Sequence, residues 1–210
     1  IGYWKFFPAL DNESGNHNTA FGADAMTASV SGIQNTALGA SALTALTSGE
    51  YNTTAGTSAG GSITTGSRNT SIGAYSGNLG TTVTDQTNLG YGAGSRFTSN
   101  AITAIGSYAL HGSVGNSTGS ENTALGAYAG YSITSGGNNV FVGYNAGRLQ
   151  TTASGNVAIG MEAGKSITTG NQSVFIGQYA GDAVTTAGEN TFIGAYAGTD
   201  VTTGNSNVFV

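Results

Sequence analysis

Apolar positions along this chain do not follow the spacing of a helix. They come in short runs closed by glycine: AFG at 20–22, ALG at 37–39, SIG at 71–73, AIG at 104–106, FVG at 141–143 and FIG at 192–194. The closing glycines are Gly22, Gly39, Gly56, Gly73, Gly90, Gly106, Gly126, Gly143, Gly160, Gly177 and Gly194, spaced by 17 residues except for one interval of 16 and one of 20. A twelfth copy begins at Asn207 and stops after NVFV. The consensus is N-T-x-[IL]-G-x-x-A-G-x-x-[IV]-T-T-G-x-x. Several glycines per repeat, each costing about 1 kcal/mol in a helix interior, argue against helix, and no 3.6-residue period survives. Short strands joined by tight corners at a fixed period make the coils of a solenoid. The pattern predicts an all-β parallel β-solenoid, or β-roll, of about twelve 17-residue coils, with two or three strand segments per coil.

Each column of the repeat has a physical reading. Four residues before the closing glycine stands Asn in nine of twelve copies. Asn suits a corner, and stacked Asn side chains can bond along the rod. One before the glycine stands an aliphatic or Phe21 in every copy but Ala55, and this is expected to be the main core-facing column. Three after the glycine every copy carries Ala or Ser76, so walls approach closely there. The Ile-Thr-Thr arm, as at 63–65 and 201–203 (with Val201 leading), favours strand.

One aliphatic per coil is a thin core. The pairs Phe141-Val142, Phe175-Ile176 and Phe192-Ile193 are apolar on both faces of a strand, because neighbouring strand residues point opposite ways. An exposed line of Phe would be a sticky patch. A second buried surface is therefore expected, as an intertwined or side-by-side homotrimer.

Composition sharpens this picture in a few places. Gly is 36 of 210 residues, with one Pro and no Cys, and 7% of residues are charged. Without a Gly-x-y triplet this is not collagen; with 38% apolar residues and little charge it is not ordinary disorder either. The net charge of −5 has no basic patch, so nucleic-acid binding has no electrostatic source. No apolar run is long enough to span a bilayer as a helix. The chain starts at Ile1 and stops inside a repeat, and it is read as a segment of something longer, with 1–17 as a non-repeating N-terminal cap or junction and 18–210 as the repeat domain.

Segments such as NTALGAYAG (122–130) and NVAIGMEAG (156–164) resemble the head repeats of trimeric autotransporter adhesins. That family carries an S-V-A-I-G-x-x-A-type motif and folds as a trimer of parallel β-rolls; phage-like tail fibres hold similar repeats. The resemblance covers 18–210, although the family repeat is usually shorter than 17 residues. It implies a structural or adhesive segment of an extracellular fibre on a cell or virion surface. The implied partners are two further copies of the chain and surface glycans or outer-membrane components.

Tyr75, Tyr108, Tyr128, Tyr179 and Tyr196 share the column two residues after the glycine. They read either as packing between coils or subunits, or as a stacking surface for sugars, since an aromatic face with a polar tip suits carbohydrate. The 111–119 segment, which contains His111 and an insertion, is a second candidate ligand surface. Arg148, Lys165 and Asp182 share a column, which would make Lys165–Asp182 a surface ion pair.

Catalysis has little to work with. A glycosidase needs two carboxyl groups about 5–10 Å apart. Glu121 and Glu189 lie four coils apart, and Asp182 with Asp200 is the one pair on adjacent coils. His17 and His111 are distant from each other, so no Ser/His/Asp set is expected, and no cofactor or metal site is expected. A glycan-binding module and a β-helical glycan-degrading enzyme remain the alternatives to a non-enzymatic fibre. Ice binding through Thr ladders ranks below both, because Val83, Ala153 and Ala187 interrupt the arm.

Overall fold

The computed structural model describes residues 15–28, 30–113 and 117–210. The expected cap or junction at 1–17 therefore lies almost wholly outside the described residues, as does 114–116 of the inserted segment. Coils are numbered here by their closing glycine, from Gly22 in coil 1 to Gly194 in coil 11.

The chain is a parallel β-solenoid. Each coil gives one strand of the same short length, from β1 (Thr19–Phe21) to β11 (Thr191–Ile193), and the final repeat gives β12 (Val208–Phe209). All twelve pair in sequence order in a single sheet. The register advances by one repeat, with Thr19 opposite Thr36 and Phe21 opposite Leu38. The irregular intervals do not disturb it: Thr87 still faces Thr103, and Thr103 faces Thr123. The extra and missing residues are absorbed outside the strands.

The second and third strands expected in each coil do not form as regular strands. The Ile-Thr-Thr arm is a run of bends, although its backbone still bonds from coil to coil, as where the Thr64 N–H donates to the Thr81 carbonyl at 2.8 Å. Left-handed corners flank the arm, at Gly60 (φ 60°) and Arg68 (φ 58°) in one coil, and leave no length for a regular strand. The closing glycine makes a further corner. Its φ lies between 123° and 145° throughout, and a Cβ on Gly106 would sit 2.6 Å from the carbonyl carbon of Gly126 in the coil above.

The core corrects the expectation about its columns. The aliphatic one before the glycine faces outward: Leu38, Ile72, Leu89, Leu125 and Ile193 are about two-fifths exposed. The residue two before the glycine faces in, and Phe141, Phe175 and Phe192 are completely buried there rather than lying on the surface. The cause is the asparagine column. Asn35, Asn52, Asn69, Asn122, Asn139, Asn156 and Asn190 are buried, so strand alternation from an inward Asn makes the next residue outward, the next inward and the aliphatic outward. Ala at +3 and the arm residues Leu46, Ile63, Phe97, Ile133 and Ile167 fill the rest of the interior.

Those asparagines form a ladder. Asn52 Nδ2 donates to Asn35 Oδ1 at 3.0 Å and to the Gly66 carbonyl at 2.9 Å, while Asn35 Oδ1 also accepts the Asn52 backbone N–H. Asn139 repeats the arrangement with Asn122 and the Ala153 carbonyl. Each rung satisfies a buried side chain and a turn carbonyl together, which is what a buried amide requires.

Volume is balanced between positions −2 and +4 in several coils. Where position −2 is small, position +4 can be large: Ala37 with Leu43, Ala104 with Leu110. Where −2 is Phe, +4 is Gly: Phe141 with Gly147, Phe175 with Gly181, Phe192 with Gly198. A Cβ on any of those three glycines would run into the phenyl ring of its own coil.

Candidate functional site

Eleven residues take the position two after the closing glycine, and every one has positive φ, from 54° to 63°. Asp24, Ser41 and Asn145 occupy it in some coils. Tyr75, Tyr108, Tyr128, Tyr179 and Tyr196 occupy it in others, at φ of 59°, 56°, 58°, 57° and 61°. For a residue with a Cβ this region costs about 1–2 kcal/mol relative to ordinary backbone, least for Asn and Asp. The tyrosines are thus held in a conformation that suits smaller polar residues better, with their rings on the flank beside the sheet.

The structure divides the column into two groups. Among the described residues Tyr179 and Tyr196 stack as a separate pair at 5.3 Å between ring centres. The others join a continuous aromatic array that sequence reasoning only partly named. Tyr75 meets Tyr91 edge-on at 5.8 Å, Tyr91 meets Tyr108 at 5.2 Å, and Tyr108 stacks on Tyr128 at 5.5 Å. His111 stacks on Tyr131 at 5.0 Å with the rings 6° from parallel, and meets Tyr108 edge-on at 5.2 Å. Tyr144 closes the row against Tyr128. Tyr91, Tyr131 and Tyr144 come from other columns, +1 and +5, so tracking one column could not find them. The signal was there in the concentration of aromatics between coils 4 and 8.

Tyr91 opens the array because its neighbour is Gly92. A Cβ there would lie 3.0 Å from Tyr108 Cδ1 and 3.1 Å from Cε1. The gap becomes a concavity of about 390 Å³ lined by Tyr75, Asn78, Tyr91, Arg96, Tyr108 and His111, among others. That volume is within the range of small-molecule sites, about 300–1,000 Å³. Comparison of the chain with family models, with curated proteins and with solved structures returned no match.

Electrostatics within the array are mild and cationic. Burial pushes the His111 pKa below the usual histidine value, against an opposing hydrogen bond with the Gly112 carbonyl, so the ring is neutral near pH 7. The Tyr91 side chain beside Tyr108 raises the phenol pKa of Tyr108. Arg148 lies over the Tyr128 ring at 5.6 Å, a cation–π contact.

The expected Lys165–Asp182 ion pair is not the one the structure forms. Lys165 Nζ reaches Glu162 Oε2 at 2.8 Å, three residues back on its own coil. An intra-coil partner at a fixed corner wins over one on the next coil. Glu162 also accepts from Asn145 Nδ2 at 3.2 Å, and its carboxyl pKa is held below the usual value by Lys165. Asp182 is pushed above its usual value, chiefly by burial. Glu189 accepts a hydrogen bond from Ser206 Oγ at 3.0 Å. Among the described residues no cluster of three His, Asp or Glu forms, and no helix is long and apolar enough to cross a membrane. What the arrangement offers chemically is a stacking surface of aromatic rings with arginine side chains beside it.

Proposed function

We propose that this chain is a structural and adhesive segment of an extracellular trimeric fibre, projecting from a cell or virion surface and supporting attachment. The observation that carries the reading is the outward face of the sheet. Leu38, Ile72, Leu89, Leu125, Ile159 and Ile193 lie in one line, each between 37% and 47% exposed. Beside them runs the line of strand-first residues, Thr in most coils and Val140, Val157 and Val174 in three. Twelve strands about 4.8 Å apart carry this face over roughly 50 Å. At about 10 Å wide it exposes on the order of 500 Å², near the top of what a soluble monomer leaves uncovered. It also approaches the ~800 Å² that each partner gives to a stable interface. Three copies packed by this face would bury it around a common axis and leave the tyrosine flank outward. The coil-to-coil ladders supply stiffness, and chain association adds durability.

The interface belongs to the aliphatic column, not to Phe141, Phe175 and Phe192, which are interior. Sedimentation equilibrium is expected to give three times 20.7 kDa for the chain. The triple variant Ile72→Lys, Leu125→Lys, Ile159→Lys is expected to run as a monomer with unchanged circular dichroism. A monomeric parent chain would sink the proposal.

A further inference from the structure

The aromatic array is confined to coils 4–8, whereas the strand and the closing-glycine corner recur along the whole rod. It coincides with three breaks in the repeat. The interval from Gly90 to Gly106 is 16 residues, the next is 20, and the asparagine ladder is replaced by Gln86 and Ile102. In the regular coils 1–3 the same corner holds Asp24, Ser41 and Ser58. Packing of the solenoid therefore does not require aromatic rings there. Stacking alone does not need an irregular interval either; Tyr179 and Tyr196 stack at 5.3 Å on coils of the regular 17-residue spacing.

We infer that the concavity bounded by Tyr75, Tyr91, Tyr108, His111 and Arg96 binds a glycan whose sugars carry carboxylates. Three features select that class. The exposed tyrosine faces present flat apolar area suited to the C–H face of a sugar ring. Asn78 and Ser95 in the same lining offer amide and hydroxyl groups to sugar hydroxyls. Arg96 is the charged side chain of the lining, and no Asp or Glu stands with it. On a protein of net charge −5 this is a cationic spot set among aromatics, and a guanidinium pairs with a carboxylate in a planar, two-bond geometry. His111, stacked on Tyr131, walls the site without adding charge near neutrality.

This inference deepens the fibre reading by naming what the fibre would hold, and the two can fail separately. The test titrates the full chain with oligogalacturonate and with oligosialic acid, using maltohexaose as a neutral control, by isothermal calorimetry at low salt. At least one acidic oligosaccharide is expected to bind at least tenfold more tightly than maltohexaose. Tyr108→Asn, which places at this corner the residue that coil 8 carries as Asn145, is expected to weaken binding at least tenfold. Arg96→Gln is expected to abolish the preference for the acidic sugar over the neutral one, and Tyr196→Asn to leave affinity within twofold. Sedimentation of each variant runs alongside. The inference is overturned if neither acidic oligosaccharide binds, if the neutral sugar binds equally well, or if Tyr108→Asn retains full affinity. It is equally overturned if Tyr108→Asn lowers the assembled mass, which would make the array a subunit contact. A monomeric parent chain that still binds the acidic glycan through Tyr108 and Arg96 would reject the trimer and keep the site.

Discussion

The interior of coils 4 and 5 and the interior of coils 8 to 11 are built on one backbone with opposite chemistry. In coils 4 and 5 the inward strand positions are Ser71 and Asn88, with Gln86 in place of the ladder asparagine. Asn88 Nδ2 donates to Gln86 Oε1 at 3.0 Å, and Asn88 Oδ1 is buried without a hydrogen-bond partner. In coils 8, 10 and 11 the same strand position is Phe141, Phe175 and Phe192, and Phe175 meets Phe192 edge-on at 5.5 Å. The apolar core accordingly falls into two clusters, one ending at Val83 and the other beginning at Ala93. A solenoid coil touches only its neighbours, so its stability sums local terms. A polar layer in mid-rod is therefore a place where the two halves can be thermally and mechanically distinct.

The largest expected effect comes from emptying the phenylalanine half. Phe175→Ala removes a fully buried ring between Gly164 and Gly181, neither of which has a side chain to fill the space. A cost of about 3–5 kcal/mol is expected, read as a lower urea midpoint. Hydrogen exchange would sharpen the comparison. Protection should fall in residues 140–205 while 35–80 keep theirs. Equal loss in both halves would mean that the polar layer transmits cooperativity, and the contrast drawn above would be wrong.

A smaller effect is expected from the polar layer itself. Asn88→Ala substitutes the residue that stands at the same place in coils 6, 7 and 9 as Ala104, Ala124 and Ala158. It deletes the hydrogen bond to Gln86 and a long one, 3.5 Å, to Ser71 Oγ, but also an unpartnered buried oxygen pressed against Gly94. These oppose each other, because a lost bond and a removed desolvation penalty are each about 1–3 kcal/mol. The net change in unfolding free energy is expected to stay within about 1 kcal/mol of zero. A loss several times larger would show that this layer holds the fold through its hydrogen bonds.

These effects also show what could be read from residues alone. The period, the parallel stacking and the glycine corners were legible because each recurs in nearly every coil. The inward and outward assignment of the strand was not. Ile and Leu dominate the −1 column, while the −2 column holds Ala in five copies, Thr, Ser or Asn in three and Phe only in four C-terminal ones, so over most of the chain hydrophobicity pointed the wrong way. Only the buried asparagine at −4 fixes the phase of the alternation, and an Asn is ordinarily read as a surface corner. The inward phenylalanines were misread for the same reason. For the candidate site, column counting singled out five tyrosines and the insertion at 111–119 singled out His111. Tyr91, Arg96 and Tyr131 came from neighbouring columns, and Gly92, which makes the concavity, is visible only through a side chain it lacks.

The smallest expected effect is a pH dependence, which in the phenylalanine half runs with two signs. Glu162 has its carboxyl pKa lowered by Lys165, so its contribution is present above the unfolded carboxylate range, about 4.3, and is lost as pH falls through its folded value. Asp182 has its pKa raised by burial, so its contribution is present below the unfolded range, about 3.9, and is lost as pH rises through its folded value. On acidification from pH 6 the two oppose each other in neighbouring coils. Asp182→Asn removes the compensating term, and the urea midpoint of the C-terminal half is expected to fall more steeply toward pH 3 than in the parent chain. Glu162→Gln should flatten the same curve. The N-terminal half carries Arg68–Asp85 at 2.7 Å, an exposed pair that salt screens. Its acid response should disappear in 1 M salt while that of the more sheltered Glu162–Lys165 pair persists. Equal salt sensitivity of the two halves would show that shelter by the coil makes no difference to either pair.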